Sequence, residues 1–134
     1  MVYSQTKLRI VDNSGVKYVK CIQSKNKSFF RCGFVGDIIV GVVLEVKQGI
    51  RAQVKKGDIV SFMVLRTKKN IKYHKKSSGF FFKNSFFNEG VILEKISSIK
   101  SYSFIGNRVL GPLPNGLCYK GSGKLLNLCE SVFL

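Results

Sequence analysis

Gly36-Asp37-Ile38-Ile39-Val40, running on to Val43-Leu44, is echoed by Gly57-Asp58-Ile59-Val60, running on to Val64-Leu65. In each copy Gly-Asp spells a turn: glycine tolerates positive φ, and the aspartate can bond a backbone N–H just ahead. The β-branched run that follows suits a half-buried or fully buried strand. Two copies are too few for a solenoid, so the echo predicts paired strands of a small barrel. Convergent turn–strand chemistry accounts for the likeness as well as duplication does.

The flanking segments agree. Lys7-Leu8-Arg9-Ile10-Val11 alternates polar and apolar residues before the turn signal Asp12-Asn13-Ser14-Gly15. Val16 to Ile22 resumes strand composition with Lys17 and Lys20 interleaved, and Gln23 to Ser28 has the polar character of a hairpin tip. Beyond Val91-Ile92-Leu93, Gly106, Gly111, Pro112, Pro114, Gly116, Gly121 and Gly123 mark a loop-rich tail. There Lys124 to Cys129 has apolar spacing compatible with a short helix. The prediction is a mainly β chain: a small closed five-stranded β-barrel with a projecting β-ribbon and a loop-rich C-terminal extension carrying short helices. At 134 residues it fits a single domain, with the barrel at about 1–95 and the extension at about 96–134.

The charge balance points to a partner. Lys and Arg number 23 against 7 Asp and Glu, a formal net charge of +16. A folded domain this lopsided repels itself unless a polyanion is near, and solubility asks for far less. Nucleic acid is the usual polyanion and an anionic membrane the main rival. No stretch approaches the ~18 apolar residues of a membrane-spanning helix. No basic amphipathic helix of useful length is present either, so RNA is preferred. The N-terminus has no h-region, and Asp12 comes early for a long Arg-rich transit peptide, so the chain is expected to be made where it works.

Catalysis finds little support. There is no paired-acid motif, no Gly-rich phosphate loop ending in Lys-Ser/Thr, and no Cys–His pair with a third orienting group. Cys21, Cys32, Cys118 and Cys129 lack zinc-knuckle spacing, and the single histidine, His74, is distant from all four. Nothing marks secretion, and Cys21 and Cys129 sit among apolar residues, so free thiols in a reducing compartment are expected. The expectation is a non-enzyme without metal, cofactor or small-molecule substrate.

The densest basic segment follows the second echo. Arg66, Thr67, Lys68, Lys69, Lys72, Lys75 and Lys76 form a loop whose base is held by a buried strand. Lysines are flexible point charges suited to phosphates, Arg66 could fork onto two phosphate oxygens, and Thr67 and Tyr73 add donors. Lys55 and Lys56 occupy a basic turn. Arg31 and Arg108 lie near glycines that would let backbone approach a phosphate. Lys17 completes the candidate RNA-binding set. Phe29, Phe30, Phe80 to Phe82, Phe86 and Phe87 could stack on unpaired bases, but packing is expected for most, with Phe29-Phe30 the pair expected outside.

Taken in order, these segments resemble the universal family of large-subunit ribosomal protein fourteen. The likeness runs through Gln5-Thr6-Lys7-Leu8, Asp12 to Lys17, Cys21-Ile22, Val35 to Ile39, Val54 to Asp58 and Val64 to Lys69. It continues through Asn88 to Ile92 and Ile105 to Pro112, and ends at Lys124 to Leu128. The chain departs in a longer basic loop after Arg66, a longer stretch from Glu94 to Phe104, altered spacing between Ser78-Gly79 and Asn88, and Cys129-Glu130-Ser131-Val132 in place of Ala-Pro-Glu-Val. The resemblance implies a structural constituent of the large ribosomal subunit that binds large-subunit rRNA. It also implies neighbouring ribosomal proteins and contact with small-subunit rRNA at an intersubunit bridge. A free translation or ribosome-assembly factor on the same barrel is the alternative. Pro114 after Gly111-Pro112 looks like the alphaproteobacterial and mitochondrial branch. Abundant Phe, Lys, Ile and Asn, with a single Ala at Ala52, fits an AT-rich organelle genome. The expected location is the mitochondrial matrix ribosome, with plastid or bacterial cytoplasm as alternatives.

Overall fold

A computed structural model describes residues 1–25, 32–49, 53–68, 71–72, 81–82, 86–94, 102–114, 117, 123–129 and 132–133. In chain order the elements are β1 (Lys7–Ile10), β2 (Val16–Ser24), β3 (Ile38–Val46), β4 (Ile59–Arg66), β5 (Ile71–Lys72), β6 (Phe81–Phe82), β7 (Glu89–Leu93), β8 (Leu113–Pro114), α1 (Gly123–Leu128) and β9 (Val132–Phe133). Strands β1-β2-β3-β4-β7 close into a barrel, so the five-stranded expectation holds. The pairings are antiparallel except the closing seam, where β1 runs parallel to β7 with Arg9 opposite Glu89 and Ile10 opposite Gly90. Closure removes the open edges at which a sheet would otherwise recruit another chain.

The two echoed segments become the β3–β4 pair. Asp37 Oδ2 accepts from Phe34 N at 2.7 Å, and Asp58 Oδ2 accepts from Lys55 N at 2.9 Å. Both carboxylates therefore brace their turns by reaching back three residues. Each turn is also clipped to the other copy's strand. Gly36 N donates to Val64 O and Val64 N to Asp37 O, while Gly57 N donates to Val43 O and Val43 N to Asp58 O. Val40 faces Ser61 at the equivalent place in each copy, so the pair has a local two-fold arrangement. Where the copies differ, they fit. A Cβ on Gly41 would collide with the Lys20 carbonyl and the Phe62 ring, so the bulk of Phe62 occupies what Gly41 leaves open.

Alternation explains which side chains fill the barrel. On β1 Leu8 and Ile10 are buried while Lys7 and Arg9 are exposed, the period-two pattern of a strand with one wet face. Leu8, Ile10, Val16, Val19, Cys21, Ile39, Val43, Phe62, Val64 and Ile92 make the main core. On the second half of β4 both faces are buried. Met63 and Leu65 join Val91, Leu93, Val109, Leu113, Leu117 and Leu125 in a second apolar cluster. The C-terminal extension thus covers the outer face of β4 and β7, and α1 contributes Leu125, which is fully buried.

Hydrogen bonds from the Asp12-Asn13-Ser14 turn fasten that extension. Asp12, almost wholly buried, accepts from Ser14 N at 2.9 Å and from Ile92 N at 2.9 Å, and also from the Ser14 hydroxyl. Asn13 Oδ1 accepts from Asn107 N at 2.7 Å and Arg108 N at 3.2 Å. Within the long basic segment after β4, the short strands β5 and β6 pair antiparallel as the expected ribbon.

Candidate nucleic-acid interface

The antiparallel pairing of β2 with β3 sets Tyr18 against Glu45 and Val16 against Val46. Lys17 is thereby carried to the end of β3, and the Lys55-Lys56 turn comes alongside. Lys17, Lys47, Gln48, Glu45 and Lys56 line an open groove there, floored by Leu44 and Val46. Lys47 is fixed through its backbone N–H, which donates to Gly15 O at 2.8 Å. Lys55 is exposed on the same turn as Lys56.

One carboxylate organises two of these ammoniums. Lys7 Nζ lies 3.4 Å from Glu45 Oε1 and Lys17 Nζ 3.5 Å from Oε2. Partial desolvation pushes the Glu45 carboxyl up. The hydrogen bonds and charges of Lys7 and Lys17 outweigh it and hold the group below its ordinary value. Both lysines also lie over the Tyr18 ring, Lys7 at 4.0 Å and Lys17 at 5.5 Å from its centroid. Three lysines, Lys17, Lys47 and Lys56, against the single carboxylate of Glu45 leave the groove cationic, and flexible ammoniums on a rigid strand frame suit irregularly spaced phosphates.

Arg66 and Thr67 require a correction. Both are buried, Arg66 at 6% and Thr67 at 0% exposure. Arg66 Nη1 donates to Pro112 O at 3.1 Å and Nη2 to Leu110 O at 2.8 Å. Its Nε sits 2.5 Å from Glu89 Oε2, an ion-pair contact whose N–H is off line for a hydrogen bond. Burial lowers the Arg66 pKa, Glu89 opposes that, and nearby Arg9 adds to the fall. Glu89 takes Arg9 Nη2 at 2.8 Å on its other oxygen. The guanidinium also lies directly against Gly111, where φ is +85° and a Cβ would strike it. The fork expected to grip phosphate therefore ties the barrel to its own extension.

The other candidates divide as follows. Lys68 is exposed just past β4, its N–H donating to Asn88 Oδ1 at 3.1 Å. Arg108 is exposed, on a segment held by Asn13. Lys72 lies in β5. Arg31, Lys69, Lys75 and Lys76, with Phe29-Phe30, fall outside the described residues. The sequence reading missed Lys7, Lys47 and Gln48, which become neighbours of Lys17 only through strand pairing. It also expected packing for Phe86 and Phe87, yet these are 75% and 52% exposed.

Of the seven acids, five are committed internally: Asp12, Asp37 and Asp58 to backbone N–H groups, Glu45 and Glu89 to cations. Among the described residues, Lys25, Lys55, Lys56, Lys68, Arg108 and Lys124 are exposed. A closed small barrel with a lysine-lined groove places the chain among basic β-barrel proteins. A family model described as Ribosomal protein L14p/L23e matches residues 1–133, and the chain belongs to that family. Its role is accordingly that of a structural ribosomal protein of the large subunit, a non-enzymatic class. Cys21, Cys32 and Cys129 are free thiols.

Proposed function

We propose that this chain is a structural constituent of an organellar large ribosomal subunit, gripping large-subunit rRNA by phosphate neutralisation and shape and meeting small-subunit rRNA at the subunit interface. The observation that carries it is the commitment of five of seven acids to internal bonds while Lys17, Lys47 and Lys56 converge on one open groove, in a chain whose family is ribosomal. The lysine heads supply charge without base readout, the mode expected for structured rRNA, whose deep, narrow major groove side chains cannot read. The AT-type composition supports an organelle genome, and Pro114 after Gly111-Pro112 supports a mitochondrial chain over a plastid one.

The test is sedimentation of large subunits from purified mitochondria after a high-salt wash. An integral protein remains in that peak at one copy per subunit, whereas a transient factor is washed away. Absence from the peak overturns the reading. With about 6–10 phosphate contacts, affinity of the isolated chain for an rRNA fragment falls by roughly 10³–10⁵ between about 50 and 200 mM salt.

A further inference from the structure

Phe86 and Phe87 are an anomaly for a folded chain, because adjacent large aromatics are ordinarily drawn into a core. Here they lie outside, and Phe87 is held in place from both sides. Arg9 N donates to Asn88 O at 2.9 Å, and Lys68 N donates to Asn88 Oδ1 at 3.1 Å. The same two residues place cations by the ring: the Arg9 guanidinium is 5.4 Å from the Phe87 centroid and the Lys68 ammonium 6.0 Å. Arg9 is itself anchored by Glu89 at 2.8 Å. A half-exposed aromatic surface is thus fixed on the barrel seam, with positive charge along its border.

We propose that Phe86 and Phe87, with Arg9 and Lys68, form a stacking platform for an unpaired base of RNA; this rests on the reading that the chain binds RNA. The matching partner must offer a flat π surface and negative charge within a few ångströms of each other. A nucleotide offers both, since the base can lie against a ring while its phosphate meets Lys68 or Arg9. An apolar protein side chain would cover the rings but offer nothing to the flanking Lys68 ammonium. The recognition is tolerant of base identity because every base has a π face. It is also distinct from the lysine groove, which needs phosphates alone.

The test uses the full-length chain and two fluorescently labelled single-stranded oligoribonucleotides of equal length, one with bases and one with abasic positions at its centre. The Phe86→Leu/Phe87→Leu variant keeps apolar bulk and removes both rings. Stacking predicts that this variant binds the base-bearing strand roughly 5- to 100-fold more weakly than the wild type and binds the abasic strand equally well. Equal binding of the base-bearing strand by variant and wild type overturns the platform and leaves phosphate binding intact. An equal loss on both strands overturns it too, because the rings then only position the cations. Should the wild type bind neither strand, the platform and the RNA-binding reading fall together. Unchanged RNA affinity with loss of the variant from large subunits would assign the rings to a protein neighbour instead.

Discussion

The Arg66–Glu89 pair makes the sharpest prediction, because its environment separates it from an ordinary surface ion pair. Both side chains are nearly inaccessible, at 7% and 4%, whereas Arg9, the second partner of Glu89, is 46% exposed. Glu89→Gln leaves the Arg66 guanidinium in place but without a counter-charge in a site walled by β7 and the extension. Breaking a buried pair by removing one partner costs about 3–5 kcal/mol. The half-exposed Arg9 contact adds under about 1 kcal/mol, since water already screens it. The bonds from Arg66 to Leu110 O and Pro112 O survive in this variant, so the loss is that of the counter-charge alone.

A total stability of about 5–15 kcal/mol makes this a large fraction of what holds the isolated chain folded. With a urea m-value of about 1–3 kcal/mol/M, the midpoint should drop by roughly 1–5 M. Arg9→Gln is the internal control and should shift it by a few tenths. Arg66→Lys tests the other half: it keeps the charge but cannot fork onto two carbonyls and a carboxylate, and so destabilises as well. The measurement is urea unfolding followed by far-UV circular dichroism, with m compared among variants. If Glu89→Gln and Arg9→Gln shift the midpoint equally, the site is solvated and the barrel–extension clasp is wrong.

Two other predictions follow from titratable groups. Glu45→Gln should release Lys7 and Lys17 for phosphate, strengthening RNA binding and steepening the plot of log K against log salt by about 1; an unchanged slope would place the groove outside the RNA contact. Burial pushes the Cys21 thiol up to about 11, above its ordinary value of 9.0, so the folded state keeps a proton that the unfolded chain gives up. The stability this provides is intact below pH 9 and is lost as pH rises from about 9 to 11, by roughly 2–3 kcal/mol in total. Comparing chemical denaturation of wild type and Cys21→Val across that window isolates the contribution; parallel declines would refute it.

The barrel was legible because its signals are local. Leu8 and Ile10 alternate with Lys7 and Arg9, and each Gly-Asp turn is bonded within three residues of itself. The second apolar cluster was not, since burying Met63 and Leu65 as well as Phe62 and Val64 depends on an extension some fifty residues further on. The site divides along the same line. Lys56 reads as exposed from its turn, but its convergence with Lys17 and Lys47 is a product of β2–β3 pairing. Arg66 was misassigned because a cation at a strand end looks the same whether it faces water or a buried carboxylate, and its acceptors Leu110 and Pro112 lie 44 and 46 residues away. One sequence signal did point to it. Glu89 opens the apolar run Glu89-Gly90-Val91-Ile92-Leu93 in a chain with only seven acids, and a carboxylate entering a buried strand demands a cation beside it. In a protein with this much positive charge, an individual lysine says little about its own surroundings. The rare carboxylates say more, because each must be satisfied where it sits, and following them separates the cations that hold the fold from those left to meet a partner.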